Sequence, residues 1–488
     1  MTIKLAVIAT SKNNIRMLDR LKSIAGDQME VVLQLGDKNA PFKGSSMSRM
    51  KATYGTTGHL MEDNTYSGDA RDFIQSPEYF RLRDVFADHM NRTSDRYKYK
   101  SHKLENQQDF HDYHHILVDT MAHKVKESGA THCLFFNVPH LAYDTALYQV
   151  AQTLGLKITI LTQSLFPNVF HSMSDPVYNG SFHAQEGDVP FPIEKGSKPD
   201  LFYMKGIKQE REEGGRITLK AIAQLMTFLA LKRPLQAFNP FYLWRVLSHM
   251  QRIYGEFPKW RDPFADFFHT DAFEFFDHMA TFEDQKVDLS GDFVYFPLHM
   301  QPEMTTSALG DRFRDQAYAI ERLSELLPEG VRILVKENPK QGAYMRGPLF
   351  FHRLKRIPKV TILPSWADTY ALSGAAKFVA TVTGTAGWEA ISCGTPSLIF
   401  GNAWYRKLPG VVEFTENVTY DEIVSTEIDH EALQQATGSL LARSHTGVVD
   451  RHYVAMMDDF NDEENTEGVA QTLWGLLTGE TDYAFRDA

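Results

Sequence analysis

A turn rich in glycine and threonine stands between an apolar strand and a helix within the stretch KFVATVTGTAGWEAISCGTPSLIFG, residues 377–401. The residues of this turn are Thr383, Gly384, Thr385, Ala386 and Gly387. Glycines let the backbone turn sharply, and the free N–H groups of a helix start, with hydroxyls beside them, bind anions. Glu389, one turn into the helix, is placed to accept two hydroxyls of a ribose. The pattern predicts a nucleotide site, although an ordinary capped βα turn has a similar sequence.

Polar residues also follow two other apolar segments. FPLHMQPE, residues 296–303, presents His299, Gln301 and Glu303, and VKENPKQ, residues 335–341, contains Lys336, Glu337, Asn338 and Pro339. Ligands of open α/β sheets bind where parallel strands end. The lysine could neutralise phosphate, the asparagine amide could recognise a base or a hydroxyl, and the proline fixes the turn. We therefore expect Gln301 and the lysine-to-proline run to join the nucleotide-sugar site. For His299, Gln301 and Glu303 the alternative is a solvated loop residue.

Carboxylates and a histidine supply candidates for acid–base chemistry. NVPHLAYD, residues 137–144, places His140 and Asp144 after a predicted strand, and Glu303 approaches from the second half of the chain. Such groups could act as acid, base or glycosyl nucleophile, although Asp144 could equally cap the helix that starts there. In LPSWADTYAL, Ser365 and Asp368 are predicted to cap a helix. No metal site is expected, because His111 and His115, four residues apart on a predicted helix, have no third ligand at a recognisable spacing.

The elements that position these residues predict two α/β units. Apolar runs predict strands at 5–9, 31–35, 131–137 and 157–162, and again at 293–297, 332–336, 360–363, 378–383 and 397–400. Helical patterns separate them. We predict an N-terminal Rossmann-like acceptor domain at 1–170, a loop and aromatic-rich helical insertion at 171–287, a C-terminal Rossmann-like nucleotide-sugar domain at 288–464, and a helix at 465–488 that crosses back to the first domain.

Composition limits the choice of partners and compartment. The 488 residues carry a formal net charge of −11 and are 43% hydrophobic, which argues against nucleic acid as a partner. Two cysteines exclude a disulfide framework and favour the reducing cytoplasm. The segment 217–231 is too short and too charged to span a bilayer, so contact with a membrane surface is left open.

The segments VYFPLHMQPE, LVKENPKQ, ATVTGTAGWEAISCGTP and FGNAWYRKLPGV, in this order, resemble the bacterial capsule polysaccharide biosynthesis glycosyltransferases over residues 290–415. That family is similar to Kdo transferases that use CMP-Kdo. The resemblance implies a GT-B-like fold with two Rossmann-like domains facing a cleft, and neither metal nor cofactor. It implies Lys336, Asn338, Thr385 and Glu389 as donor ligands. The family has a histidine directly before the proline that matches Pro339, whereas the present sequence has Asn338.

These observations favour a cytoplasmic glycosyltransferase that moves a sugar from a nucleotide-activated donor to a saccharide or lipid-linked saccharide acceptor in surface or capsular polysaccharide assembly. Peripheral contact with the inner membrane or with a capsule assembly complex stays open. Other enzymatic readings are a CDP-polyol phosphotransferase and a sugar-nucleotide epimerase of the same fold. A non-catalytic nucleotide-sugar-binding subunit is the alternative from another class.

Overall fold

The computed structural model describes residues 2–9, 11–35, 65–77, 107–140, 142–185, 187–196, 234–256, 287–301, 303–338, 341, 346–365 and 367–487. It also describes isolated positions between 79 and 87 and between 219 and 230. Statements about the structure refer to these residues.

The described strands form two six-stranded sheets. The strands are β1 (Ile3–Ile8), β2 (Met29–Leu35), β3 (His132–Phe135), β4 (Lys157–Gln163), β5 (Val169–Met173), β6 (Phe293–Pro297), β7 (Arg332–Lys336), β8 (Val360–Leu363), β9 (Val379–Thr381), β10 (Ser397–Ile399), β11 (Val411–Glu413) and β12 (His445–Thr446). Sheet A has the order β12-β5-β4-β3-β1-β2, and sheet B has the order β11-β10-β9-β6-β7-β8. All neighbours in sheet B are parallel, whereas β5 is antiparallel to both of its neighbours in sheet A.

Helices connect the strands. They are α1 (Lys12–Ala25), α2 (Arg71–Ile74), α3 (Gln107–Ser128), α4 (Ala142–Thr153), α5 (Pro234–Ala237), α6 (Pro240–Glu256), α7 (Gln316–Leu326), α8 (Pro348–Lys355), α9 (Thr369–Ala375), α10 (Thr385–Ser392), α11 (Tyr420–Val424), α12 (His430–Arg443) and α13 (Asp462–Thr478). Short 3₁₀ turns occur at Gly26–Gln28, Pro176–Tyr178, Asp311–Arg314 and Arg451–Met456, and a π turn occurs at Met304–Ala308.

Sheet B is formed by short apolar runs, and strands β6, β7 and β8 have the predicted bounds. A parallel sheet covered by helices on both faces buries both sides of its strands, so uninterrupted apolar sequence identifies them. In β6 and β7 the side chains are mostly buried. The predicted α/β class with two Rossmann-like sheets is therefore confirmed.

The C-terminal part of the chain returns to sheet A. Strand β12 pairs with β5, and Ser172 lies 2.6 Å (Oγ to Nε2) from His445. Helix α13 then packs on α1, where Leu18 and Leu473 share one apolar cluster. The return precedes the predicted boundary at 464–465, and β5 continues past the predicted boundary at 170. The antiparallel pairing of β5 with the adjacent β4 extends sheet A past residue 170, and the pairing of β12 with β5, which is distant in sequence, adds residues 445–446 to it.

Aromatic residues join the two halves beside α10. The Phe166 ring lies 6.0 Å from the ring of Trp388 and 5.6 Å from that of Trp404. The Asn179 side chain donates to the Asn402 carbonyl at 2.7 Å. Trp388 of α10 thus packs against the loop between β4 and β5, and the segment after β10 contacts both that loop and the segment after β5.

In the insertion the described helices are α5 and α6. None of the helices that the structure describes combines the length and the apolar character needed to cross a membrane.

Candidate functional site

Strand β7 and helix α10 place a lysine and a glutamate near each other at the carboxyl ends of the strands of sheet B. Lys336 ends β7, and its ammonium group donates to the Ala367 carbonyl at 3.1 Å and to the Thr369 hydroxyl at 2.6 Å. Glu389 lies in α10 and accepts a hydrogen bond from the Thr385 hydroxyl at 3.1 Å. Lys336 and Glu389 lie close enough for the charge of each to shift the pKa of the other.

Burial perturbs both charged groups of this pair. Lys336 is 8% exposed and Glu389 is 7% exposed. Burial lowers the pKa of Lys336 to about 8, against the opposing charges of Glu389 and Asp368. Burial likewise raises the pKa of Glu389, although the Thr385 hydrogen bond and the Lys336 charge oppose that shift. Perturbed groups at a strand end are typical of functional sites.

The N-terminus of α10 lies next to this pair and is only half-buried at Gly384, Thr385 and Ala386. Gly384 is the N-cap residue and provides no side-chain cap. Its own N–H donates to the Thr381 hydroxyl at 3.3 Å. The Thr383 hydroxyl donates to the Thr305 carbonyl at 2.6 Å, so this hydroxyl fastens the π turn of Met304–Ala308.

Glycine is required at both positions of the turn because any side chain there would collide with its neighbours. Gly384 has a φ of −74°, which any residue can adopt. A Cβ there would lie 2.6 Å from the His299 Cε1 atom. A Cβ at Gly387 would lie 2.6 Å from the Ser397 hydroxyl and would also collide with the Tyr405 hydroxyl. The sequence predicts these glycines for a sharp backbone turn, whereas the structure shows that neighbouring side chains approach them closely.

A buried ion pair supports the turn from below. Arg346, 1% exposed, pairs with Glu337, and it also donates to the carbonyl of His299. The His299 Nε2 atom accepts from the Val382 N–H at 3.3 Å and lies 2.6 Å from the Thr381 hydroxyl. Burial and the Arg346 charge lower the pKa of His299 to about 3. The imidazole is therefore neutral, and a chain of contacts runs from the ion pair to the Gly384 N–H.

The other predicted donor-binding residues hold neighbouring loops. Gln301 donates its N–H to the Gln341 side chain at 2.8 Å and accepts from Gln316 at 3.1 Å. Asn338 is half-buried, and its N–H donates to Glu337 at 2.6 Å. Pro339 lies outside the described residues. Glu337 and Gln301 thus have structural contacts, and their roles toward a donor remain predictions.

The catalytic candidates lie on three separate segments. Asp144 is buried in the first turn of α4, and His140 has its Nδ1 atom 2.7 Å from the Val138 carbonyl oxygen. Glu303 is exposed and faces Tyr453, whose pKa is raised to about 12 chiefly by burial, with smaller contributions from Asp450 and Glu303. Their catalytic roles remain predictions.

The sequence predicts one helix cap at this edge correctly, but it does not reveal the role of Arg346. Asp368 caps α9 as predicted, since it accepts from the Tyr370 and Ala371 N–H groups. Ser365 does not share that role, since its buried hydroxyl has no hydrogen-bond partner among the residues that the structure describes. Arg346 was not identified, because no periodicity surrounds it. Among the described residues no cluster of three histidine, cysteine or acidic side chains could hold a metal ion.

No protein-family model matches the chain, and a search of curated proteins finds no match. Similar solved structures include the KpsC beta Kdo 2,7 transferase of Thermosulfurimonas dismutans, with 11% identity, coverage of 75% of this chain and 90% of that chain, and a TM-score of 0.30. The Anabaena HepE protein in complex with UDP-glucose has 11% identity, coverage of 96% and 99%, and a TM-score of 0.29. The UDP-GlcNAc 2-epimerase of Methanocaldococcus jannaschii has 9% identity, coverage of 90% and 99%, and a TM-score of 0.24. At these values the functional assignment must rest on the residues of this chain.

Proposed function

We propose that the protein is a metal-independent glycosyltransferase of GT-B type that transfers a sugar from a nucleotide-activated donor. The observation that carries this proposal is the juxtaposition of Lys336 and Glu389 beside the half-buried N-terminus of α10. A helix N-terminus and a lysine together can bind a phosphate. A carboxylate one turn further can accept ribose hydroxyls. These are the two groups that a nucleotide donor presents.

The same groups are suited to stabilising the charge that develops during sugar transfer. When the bond between sugar and phosphate breaks, negative charge grows on the leaving phosphate and positive character grows on the anomeric carbon. The backbone N–H groups of α10 and the Lys336 ammonium group stabilise the leaving phosphate. The acceptor hydroxyl attacks the anomeric carbon and loses its proton to a base, for which Asp144, Glu303 and His140 are the candidates.

The acceptor and location follow from the capsule family that the sequence resembles. We infer a saccharide or lipid-linked saccharide acceptor of surface or capsular polysaccharide, reached from the cytoplasmic face of the inner membrane. CMP-Kdo or a related sugar nucleotide is the donor that this resemblance favours. Asn338 stands at the position of a family histidine, so the identity of the sugar and base needs direct measurement.

A nucleotide screen tests the proposal. At a concentration of about 100 times its dissociation constant, a nucleotide that binds only the folded protein adds about 2.7 kcal/mol to the free energy of unfolding. We expect CMP or CDP to raise the melting temperature more than UDP or GDP, and the nucleotide sugar to release its nucleotide only when an acceptor is added. Turnover without an acceptor would instead indicate an epimerase. Stabilisation without any turnover would indicate a binding subunit, and no stabilisation by any nucleotide would contradict the site.

Three single variants distinguish the candidate bases. We expect Asp144→Asn to abolish acceptor-dependent turnover while donor affinity measured by calorimetry stays unchanged, because the carboxylate acts on the acceptor. Glu303→Gln and His140→Ala are the matched comparisons. Retained turnover in Asp144→Asn would leave Asp144 with a helix-capping role, and loss in one comparison variant alone would transfer the role to that residue.

A further inference from the structure

We propose that α5 and α6 dock the protein onto the surface of a bilayer that contains anionic lipids. The docking surface consists of Leu235, Phe238, Phe241, Trp244 and Leu247, with Arg245 beside them, and is called the aromatic face below. This inference is independent of the transferase assignment, because it uses none of the residues at the edge of sheet B.

The aromatic face is an unusually exposed set of large apolar side chains. Leu235 and Phe238 are 89% and 87% exposed, and Phe241 and Trp244 are 77% and 65% exposed. Soluble proteins rarely expose contiguous apolar patches of large side chains without a binding role. The structure therefore presents a surface that is suited to an apolar partner.

Helix α6 has two different sides. Val246 is buried, and Tyr242 and Leu243 are half-buried, so this side packs against the protein. Phe241, Trp244 and Leu247 follow one another at intervals of three residues on the outward side. An amphipathic helix with phenylalanine and tryptophan on its apolar side typically lies in the plane of a membrane interface.

The charge of the surrounding sequence selects the partner. Residues 217–255 contain no aspartate or glutamate, but they carry Lys220, Lys232, Arg233, Arg245 and Arg252, in a chain whose net charge is −11. Anionic headgroups attract such a basic segment. A second copy of the chain would bring the same positive charge to the contact, which disfavours a symmetric dimer there. Arg245 is exposed beside the aromatic residues, where it can reach lipid phosphates while the rings enter the acyl boundary.

Docking would place the protein where lipid-linked molecules are found. If the proposed transferase activity holds, the docked protein would then encounter a lipid-linked acceptor by diffusion in the plane of the membrane. The two ideas can fail separately, since vesicle binding is measured without nucleotide or acceptor.

Vesicle sedimentation tests the inference on the full chain. Vesicles of phosphatidylcholine alone are compared with vesicles that also contain phosphatidylglycerol. We expect binding to the phosphatidylglycerol vesicles, weaker binding at high salt, and little binding to phosphatidylcholine alone. The triple variant Phe238→Ser, Phe241→Ser and Trp244→Ser should bind about a hundredfold more weakly or worse, because each aromatic side chain loses its apolar burial. Arg245→Glu should weaken binding about fivefold or more.

The control is the double variant Val189→Ser and Leu349→Ser, which removes two apolar side chains that are 81% and 84% exposed elsewhere. It should bind vesicles like the wild type, and circular dichroism should show the same melting temperature for all variants. Absence of wild-type binding to phosphatidylglycerol vesicles would overturn the inference. Equal vesicle binding by the triple variant would also overturn it. So would a wild-type dimer in sedimentation velocity that the triple substitution converts to monomer and that added lipid leaves unchanged.

Discussion

Replacing Arg346 with methionine is expected to lower the free energy of unfolding by about 3–5 kcal/mol. Arg346 and Glu337 are both 1% exposed and form a buried ion pair. Without the guanidinium group, the buried Glu337 carboxylate would lose the cation of this ion pair, and the His299 carbonyl would lose a donor. Chemical denaturation followed by circular dichroism gives the stability, and nucleotide-induced thermal shift reports whether the glycine turn still binds.

Two comparisons separate the buried pair from a general effect of losing an arginine. Arg312 pairs with Glu416 at the surface, with both side chains 54% exposed, and Arg312→Met should cost less than about 1 kcal/mol. The double variant Arg346→Met with Glu337→Gln should recover part of the loss, because no uncompensated charge remains. A melting temperature for Arg346→Met that equals that of the wild type would show that the ion pair does not support the fold.

The variant Glu389→Ala is expected to weaken nucleotide binding about 10- to 100-fold, since a hydrogen bond to a charged group contributes about 1.5–3 kcal/mol. The structure places this carboxylate beside Lys336 and Thr385, next to the N-terminus of α10. Titration calorimetry with the nucleotide found in the screen measures the change. Glu427→Ala, at an exposed position, is the control that should bind like the wild type. Equal affinity in Glu389→Ala would remove the ribose role.

The pH dependence of the wild-type affinity gives an independent check on the same site. In the free protein the pKa of Lys336 is about 8, and a bound phosphate would favour the charged ammonium form. Affinity should therefore change little from pH 7 to about pH 8 and should fall as the pH rises above about 8. Lys336→Met should bind weakly and lose this dependence. A wild-type affinity that does not change from pH 7 to pH 9 would show that Lys336 does not bind the phosphate.

The strands of sheet B could be predicted from sequence because apolar runs buried on both faces define them locally. Lys336 and Glu389 could be placed at one edge for the same reason: each follows a recognisable strand, and parallel strands end at the same side. The pKa shifts of these two side chains could not be predicted. Burial lowers the pKa of Lys336 and raises that of Glu389, and burial depends on packing that no local pattern shows.

Residues whose partners lie far away in the chain escaped prediction. Strand β5 contains His171 and Ser172, which interrupt an apolar pattern, and their hydrogen-bond partners are Ser444 and His445. Arg346 is likewise explained only by Glu337 and the His299 carbonyl. Polar side chains in a strand or loop argue for exposure when they are considered alone. Here hydrogen bonds to partners distant in sequence offset part of the cost of burying these side chains.

The return of the chain to sheet A has a consequence for biosynthesis. A ribosome delivers residues 3–173, which supply five of the six strands of sheet A, long before it delivers His445 and Thr446, which supply the sixth. Until then the β5 edge is unpaired, and the apolar side of α1 that α13 covers is bare. The first sheet therefore keeps an unpaired edge strand while all six strands of the second sheet are translated. Such an edge makes the nascent chain a natural client for chaperones that shield unpaired strands.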